Sequence, residues 1–174
     1  MIALELTDIK LFMNALLNGT LFDNFLLQEA VINSNVSYVI DGHLNKGFYT
    51  EEELEELHLT KDSILPFSLL KGNCYELIKG KKTPTAFRFV FLLSRENLEK
   101  TLHSLSSSYS PDDISGMYVN IKYQNQLLTL TTGISYKIFS TDKSLEQSWD
   151  KMIRKFLNQH QISYEALEFS ALLL

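Results

Sequence analysis

Phe87-Arg88-Phe89-Val90-Phe91-Leu92-Leu93 is the stretch on which the fold turns. It is apolar on both faces except at Arg88, and Thr83-Pro84 and Ser94 bound it. Such a run reads as a strand in the middle of a sheet. Beyond it, Ser94 caps a helix whose stripe is Leu98, Leu102 and Leu105. A serine-rich loop over 104–111 follows. Val119, Ile121 and Tyr123 then alternate with Asn120 and Lys122, and Gln124-Asn125-Gln126 turns the chain. Leu128 and Leu130 alternate with threonines, Gly133 supplies a second turn, and Tyr136 and Ile138 alternate again. The pattern predicts a three-stranded meander. From about Asp142 a last helix carries Leu145, Trp149, Met152, Ile153 and Phe156 on one stripe, widened by Leu157. That spacing makes Trp149 a core residue.

On the N-terminal side, residues 46–84 read as an irregular helical connection. Thr50 and Glu53 form a capping box for a short helix ending near Leu59, with Tyr49 and Leu54 at the staple positions. Pro66 and Gly72 punctuate the stretch that follows, and residues 74–79 form a further helical turn. Upstream, the apolar runs 25–32 and 36–40 are split by Asn33-Ser34-Asn35, a hairpin turn, and Asp41-Gly42 ends the second run. Ile2, Leu4 and Leu6 alternate as a strand. Thr7 then caps a helix with Ile9, Phe12, Met13, Leu16 and Leu17 on one face, stopped by Asn18-Gly19. Residues 1–45 and 85–160 thus share the order strand, helix, strands, and 161–174 is an apolar tail. The reading is one α+β domain over 1–174, with antiparallel strands in two strand–helix–strands halves and helices packed on one side.

Composition narrows the class. The chain has 174 residues, 45% hydrophobic, 11% aromatic and 21% charged, the balance of a chain that buries a core. Its single cysteine, Cys74, excludes an intramolecular disulfide framework and suits a reducing compartment. No run approaches the ~18 apolar residues of a membrane span. Glu5 and Asp8 stand where a signal peptide needs a basic start, so a cytoplasmic location without a membrane partner is expected. Residues 71–100 hold seven basic and three acidic groups, in a chain whose net charge is −5. The middle segment is the one place that attracts an anion, and weak or no nucleic-acid binding is expected overall.

Lys71, Lys79, Lys81, Lys82 and Arg88 are the candidate anion or nucleic-acid contacts. Glycine at position 80 frees the backbone and the lysines supply point charge, yet the Gly-x4-Gly-Lys-Ser/Thr spacing of a P-loop is absent. The competing reading is a lysine-rich turn guarding the apolar strand after it. Asp41, His43 and His58 are weak metal candidates with no paired His or Cys spacing behind them. No cofactor is implied. Cys74 with His103 or His160 lacks any sequence proximity, and a lone cysteine beside Tyr75 and Leu77 reads as a small buried hydrophobe. Phe169, Leu172, Leu173 and Leu174 are candidate partner contacts, on the chain's own sheet, a second copy, or another protein.

The segments Phe22-Asp23-Asn24-Phe25-Leu26-Leu27, Ile40-Asp41-Gly42-His43-Leu44-Asn45-Lys46 and Pro66-Phe67-Ser68-Leu69-Leu70-Lys71-Gly72-Asn73 resemble an uncharacterised bacterial family, which brings no catalytic residue with it. The strand–helix–strands order also resembles the domains of sliding DNA clamps, although Lys10 is the one cation on the first helix. Three functions follow as expectations: a non-enzymatic binding or assembly protein, a clamp-like nucleic-acid-associated module, and an enzyme whose site assembles from scattered residues.

Overall fold

The computed structural model describes residues 1–59 and 62–168. The strands are β1 (Ala3–Leu6), β2 (Leu26–Asn33), β3 (Ser37–Asp41), β4 (Ala86–Leu92), β5 (Ile114–Gln124), β6 (Leu127–Tyr136) and β7 (Tyr164–Ala166). They form one antiparallel sheet in the order β3-β2-β4-β5-β6-β1-β7. The helices are α1 (Ile9–Leu17), α2 (Glu51–Glu56), α3 (Phe67–Ile78), α4 (Arg95–Ser104) and α5 (Ser144–Gln159). The fold is α+β, with helices on one side of the sheet.

Register explains the layering. Ala30, Phe89, Ile121 and Leu130 lie side by side across four strands, as do Leu27, Phe91 and Val119, and all are buried. Because side chains alternate along a strand, these rows share one face. Phe12 and Leu16 of α1, Phe67 and Cys74 of α3, Leu98 and Leu102 of α4, and Trp149, Ile153 and Leu157 of α5 join them in a single core. The other face carries Glu29, Arg88 and Lys122, and among the described residues no helix residue of that core lies on it. Thus β4 is central by position but covered on one face, and Val90 on its open side is only partly buried.

The two halves keep their order but do not form separate units. β1 crosses to the far side of the sheet to pair with β6, Ala3 opposite Thr131, while β2 pairs with β4. A buried polar link fixes that crossing. Thr132 Oγ1 donates to Asp150 Oδ1 of α5 at 2.5 Å and accepts the Ile2 amide at 3.0 Å.

Several local expectations are corrected. Gly133 does not turn the chain: β6 runs through it, paired with Tyr118, so the meander is a single long hairpin. Open space surrounds the position of its missing Cβ, and ten registered pairs with β5 override the glycine's turn preference. The stretch around Gly72 is a regular 12-residue helix. Phe67, edge-on to Phe89 and Phe91 at 6.0 and 5.0 Å, anchors its first turn, and buried Cys74 anchors it two turns on. Gly72 faces solvent, so tertiary anchoring outweighs its low propensity. The cap of α1 is Asp8 rather than Thr7, its carboxylate accepting the Leu11 amide at 3.0 Å. The Thr50–Glu53 capping box and the Asn33–Asn35 hairpin are present as read.

Gly42 sits at the tightest approach in the chain. A Cβ there would lie 1.6 Å from the Leu27 carbonyl oxygen. The Gly42 amide donates to Gln28 at 3.0 Å, and the Gly42 carbonyl accepts the Leu65 amide at 2.8 Å. Leu27 in turn donates to Leu65 at 3.0 Å, so strand end, bulge and incoming segment are clipped together. Gly42→Ala is expected to cost at least about 1–3 kcal/mol in denaturant titration, because backbone must move to admit the methyl. Trp149→Ala, at a residue 3% exposed, should cost about 3–5 kcal/mol in the same measurement. A loss under half of ~1 kcal/mol for either would contradict these packing assignments.

Candidate functional site

The apolar stripe of α5 is wider than its contact with the sheet requires. Leu145, Trp149, Ile153 and Leu157 point into the core, while Met152 and Phe156 lie to one side and stay partly exposed. On the facing helix, α4, Ser94 caps the first turn through the Asn97 amide, and Leu98, Thr101 and Leu102 are buried. An open-sided groove of about 330 Å³ is left between the two helices. Phe25, Leu93, Trp149, Met152, Ile153 and Phe156 supply its apolar surface. Asn97, Lys100, Thr101 and Ser104 supply its polar side. Trp149 Nε1 donates to the Tyr118 carbonyl at 3.1 Å, which satisfies the indole N–H away from the groove.

The back of the groove is aromatic. Phe22 stacks on Phe91 at 4.6 Å and 16°, and Phe156 meets Phe22 and Phe25 edge-on at 5.6 and 6.0 Å. Two of the polar groups on the α4 side are engaged. Lys100 pairs with Glu96 at 2.7 Å, and the Ser104 hydroxyl donates to the Thr101 carbonyl at 3.0 Å. Lys100 is the one ionisable side chain among the groove's described lining residues.

Asn97 also lines a second, polar cavity of about 390 Å³ with Asp23, Asn24, His58, Asp62 and Ser94. Its carboxylates have structural duties. Asp23 accepts two hydrogen bonds from Lys71 Nζ at 2.8 and 3.0 Å, and Asp62 accepts the Arg95 amide at 3.1 Å.

The basic candidates are distributed over three places. Lys71 on α3 is held by Asp23 and donates to the Gly19 carbonyl at 2.7 Å. Lys79, at the end of α3, pairs with Glu76 at 2.9 Å and lies 5.3 Å over the Tyr75 ring. Its hydrogen bond to Glu76 raises its pKa. Lys81 and Lys82 are exposed in the bend before β4, after Gly80 at φ +145°. Arg88 is on the open sheet face, paired with Glu29 at 2.8 Å. These five do not converge on one cleft.

Nor do the three metal candidates meet at one point. Asp41 Oδ1 accepts the His43 amide at 3.0 Å and contacts His43 Nδ1 at 2.5 Å. The bond from the His43 amide, then the one from its ring, holds the Asp41 carboxyl below its ordinary range. His58 lies apart in the polar cavity. Among the described residues no three His, Cys, Asp or Glu side chains are placed to hold a metal ion. Cys74 is buried on α3, with neither His103 nor His160 hydrogen-bonded to it among the described residues. Phe169, Leu172, Leu173 and Leu174 lie outside the described residues.

The three sequence segments singled out above do come together. Asp23 of the first binds Lys71 of the third, and the Phe67 amide donates to the Phe25 carbonyl at 2.8 Å. Gly42 of the second is clipped to Gln28, just beyond the first. Their shared corner supports Phe22 and Phe25, and hence the groove. A family of unknown function matches residues 15–165, from within α1 to within β7. The chain belongs to DUF5721. No curated protein and no solved structure matches this DUF5721 chain. The likeness to sliding clamps therefore rests on element order alone. Among the described residues no helix is long and apolar enough to cross a membrane.

Burial drives the Cys74 thiol up to about 12 from 9.0. A thiol so raised is inert, since the thiolate is the nucleophile. The expected result with a thiol-reactive chromogen at pH 8 is no labelling of the folded protein and one equivalent released on unfolding in denaturant. Rapid labelling without denaturant would place Cys74 at the surface.

Proposed function

We propose that this DUF5721 protein is a non-enzymatic cytoplasmic binding protein whose α4–α5 groove takes an apolar anchor of a partner protein. The observation that carries this reading is the groove itself: an apolar surface with its polar groups to one side. Its volume of about 330 Å³ matches the lower end of binding cavities, ~300–1,000 Å³. An apolar cleft between two helices fits side chains presented at helical spacing, in the manner of a helix laid in a groove. The Ser104 hydroxyl and the Lys100 ammonium of its lining are turned to the Thr101 carbonyl and to Glu96, which supports binding over chemistry.

Charge narrows the partner. Lys151 and Lys155 stand exposed on α5, each immediately before Met152 and Phe156 in the chain, and form no ion pair among the described residues. This unpaired positive rim favours a segment whose apolar anchor is flanked by carboxylates. The single buried cysteine supports the cytoplasmic assignment.

Trp149 is the chain's single tryptophan and lines the groove, so its emission reports occupancy. The probe is anilinonaphthalene sulfonate, an apolar ring system with an anionic group like the anchor inferred. Titration should quench Trp149 emission saturably. Met152→Glu, checked for native far-UV dichroism, should weaken the dye about tenfold or more, a change of ~1.4 kcal/mol. Val39→Lys, on the edge strand of the sheet, should leave it unchanged. Absent or non-saturable quenching, or equal affinity in Met152→Glu, would overturn the assignment.

A further inference from the structure

The sheet ends in two unlike edges. At one end β7 has three residues, with charged Glu165 at its centre. Shortness and charge are the usual guards of an edge against pairing with another chain. At the other end β3 reads Ser37-Tyr38-Val39-Ile40-Asp41, with neither lysine nor proline. Its five pairs with β2 are regular, since the bulge of β2 lies on the β4 side. Val39 is 63% exposed and Tyr38 36% exposed. No other described strand pairs with β3, so every second residue directs its amide and carbonyl outward, away from β2.

The strand is also complementary to itself. Its order polar, apolar, apolar, apolar, polar is symmetric about Val39. When two copies pair antiparallel about a twofold axis at Val39, Ser37 meets Asp41, Tyr38 meets Ile40, and Val39 meets its twin. Each pair shares a face, because the pleat repeats every two residues. Aromatic against β-branched side chains is a favourable cross-strand pair. The strand's one charge lands opposite a hydroxyl. Moving the axis to Asp41 would instead set two carboxylates face to face.

We propose that β3 is an isologous docking edge, through which a second copy of this chain extends the sheet into one continuous sheet across a twofold axis. Such an interface uses the same patch on both subunits and closes on itself. It is independent of the α4–α5 groove, which lies on the helical layer and contains no β3 residue.

The test is cysteine cross-linking of the full chain. In the proposed register two Val39 residues face each other at a paired-strand Cα separation of ~4.5–5.5 Å, within the range a disulfide spans. Val39→Cys should form a reducible dimer under mild oxidation at least about tenfold faster than Asn35→Cys, whose exposed thiol in the hairpin turn would be more than ~20 Å from its twin at ~3.4 Å per residue. Buried Cys74 gives a silent background in the parent protein. Light scattering on the parent should show a mass rising with concentration above 20.0 kDa, and Val39→Lys should abolish the rise. Equal cross-linking rates for Val39→Cys and Asn35→Cys would overturn the proposal, as would a mass of 20.0 kDa at every concentration.

Discussion

The stack of Phe22 on Phe91 organises the molecule. Phe91 is the penultimate residue of β4, and Phe89, at the middle of that strand, stacks beside it at 5.8 Å on the same face. Phe22 comes from the loop between α1 and β2, and it also meets Phe12 of α1 edge-on at 6.2 Å. One ring thus ties the first helix, the loop and the sheet centre, and Phe156 brings α5 to the same point. Large aromatic rings bury much area and hold defined mutual angles, so they fix position as well as supply stability. The groove between α4 and α5 follows from this arrangement: α5 is held by Trp149, Ile153 and Leu157 below and by Phe156 at the side, and Phe25 fills only part of the gap to α4.

Around that stack, charged and polar residues act as fasteners. Asp23 and Lys71, each about one-fifth exposed, bring α3 against the loop that carries Phe22. Gly42 brings the chain after β3 against the bulge of β2. Asp41 satisfies an amide within its own turn. Asp23, Asp41 and Asp62, which suggest chemistry when read in a line, are here engaged in holding neighbouring segments together.

How far the sequence disclosed this depends on whether local pattern or distant partner decides each element. The stripe of α5, the capping box at Thr50 and the asparagine hairpin are local, and each is legible because the determining residues lie within a few positions of one another. Gly133 and Gly72 misled for the opposite reason. A glycine's turn preference is weak beside registered pairing with β5 or anchoring of Phe67 in the core, and both partners are remote in sequence. The groove was half legible. The stripe Trp149, Met152, Ile153, Phe156 is broader than one buried face needs, but only the placement of α4 shows which part of it stays uncovered. The placement of β1 beside β6 had no local signature, since alternating Ile2, Leu4 and Leu6 fit any apolar row.

That placement bears on how the chain is made. Leu4, buried opposite Leu130, must wait for a partner some hundred and twenty-six residues downstream. At ribosomal rates of ~5–20 residues per second, the gap is roughly 6–25 s. Throughout it the nascent amino end holds an alternating apolar strand with no ladder to join, while β2 and β3 close their hairpin at once. Joining β1 to β6 therefore waits until β6 has been made, and it carries the loop-closure cost of a non-local pairing. The Thr132 hydroxyl, which binds the Ile2 amide and Asp150 together, is then the latch that seals the sheet after α5 has emerged.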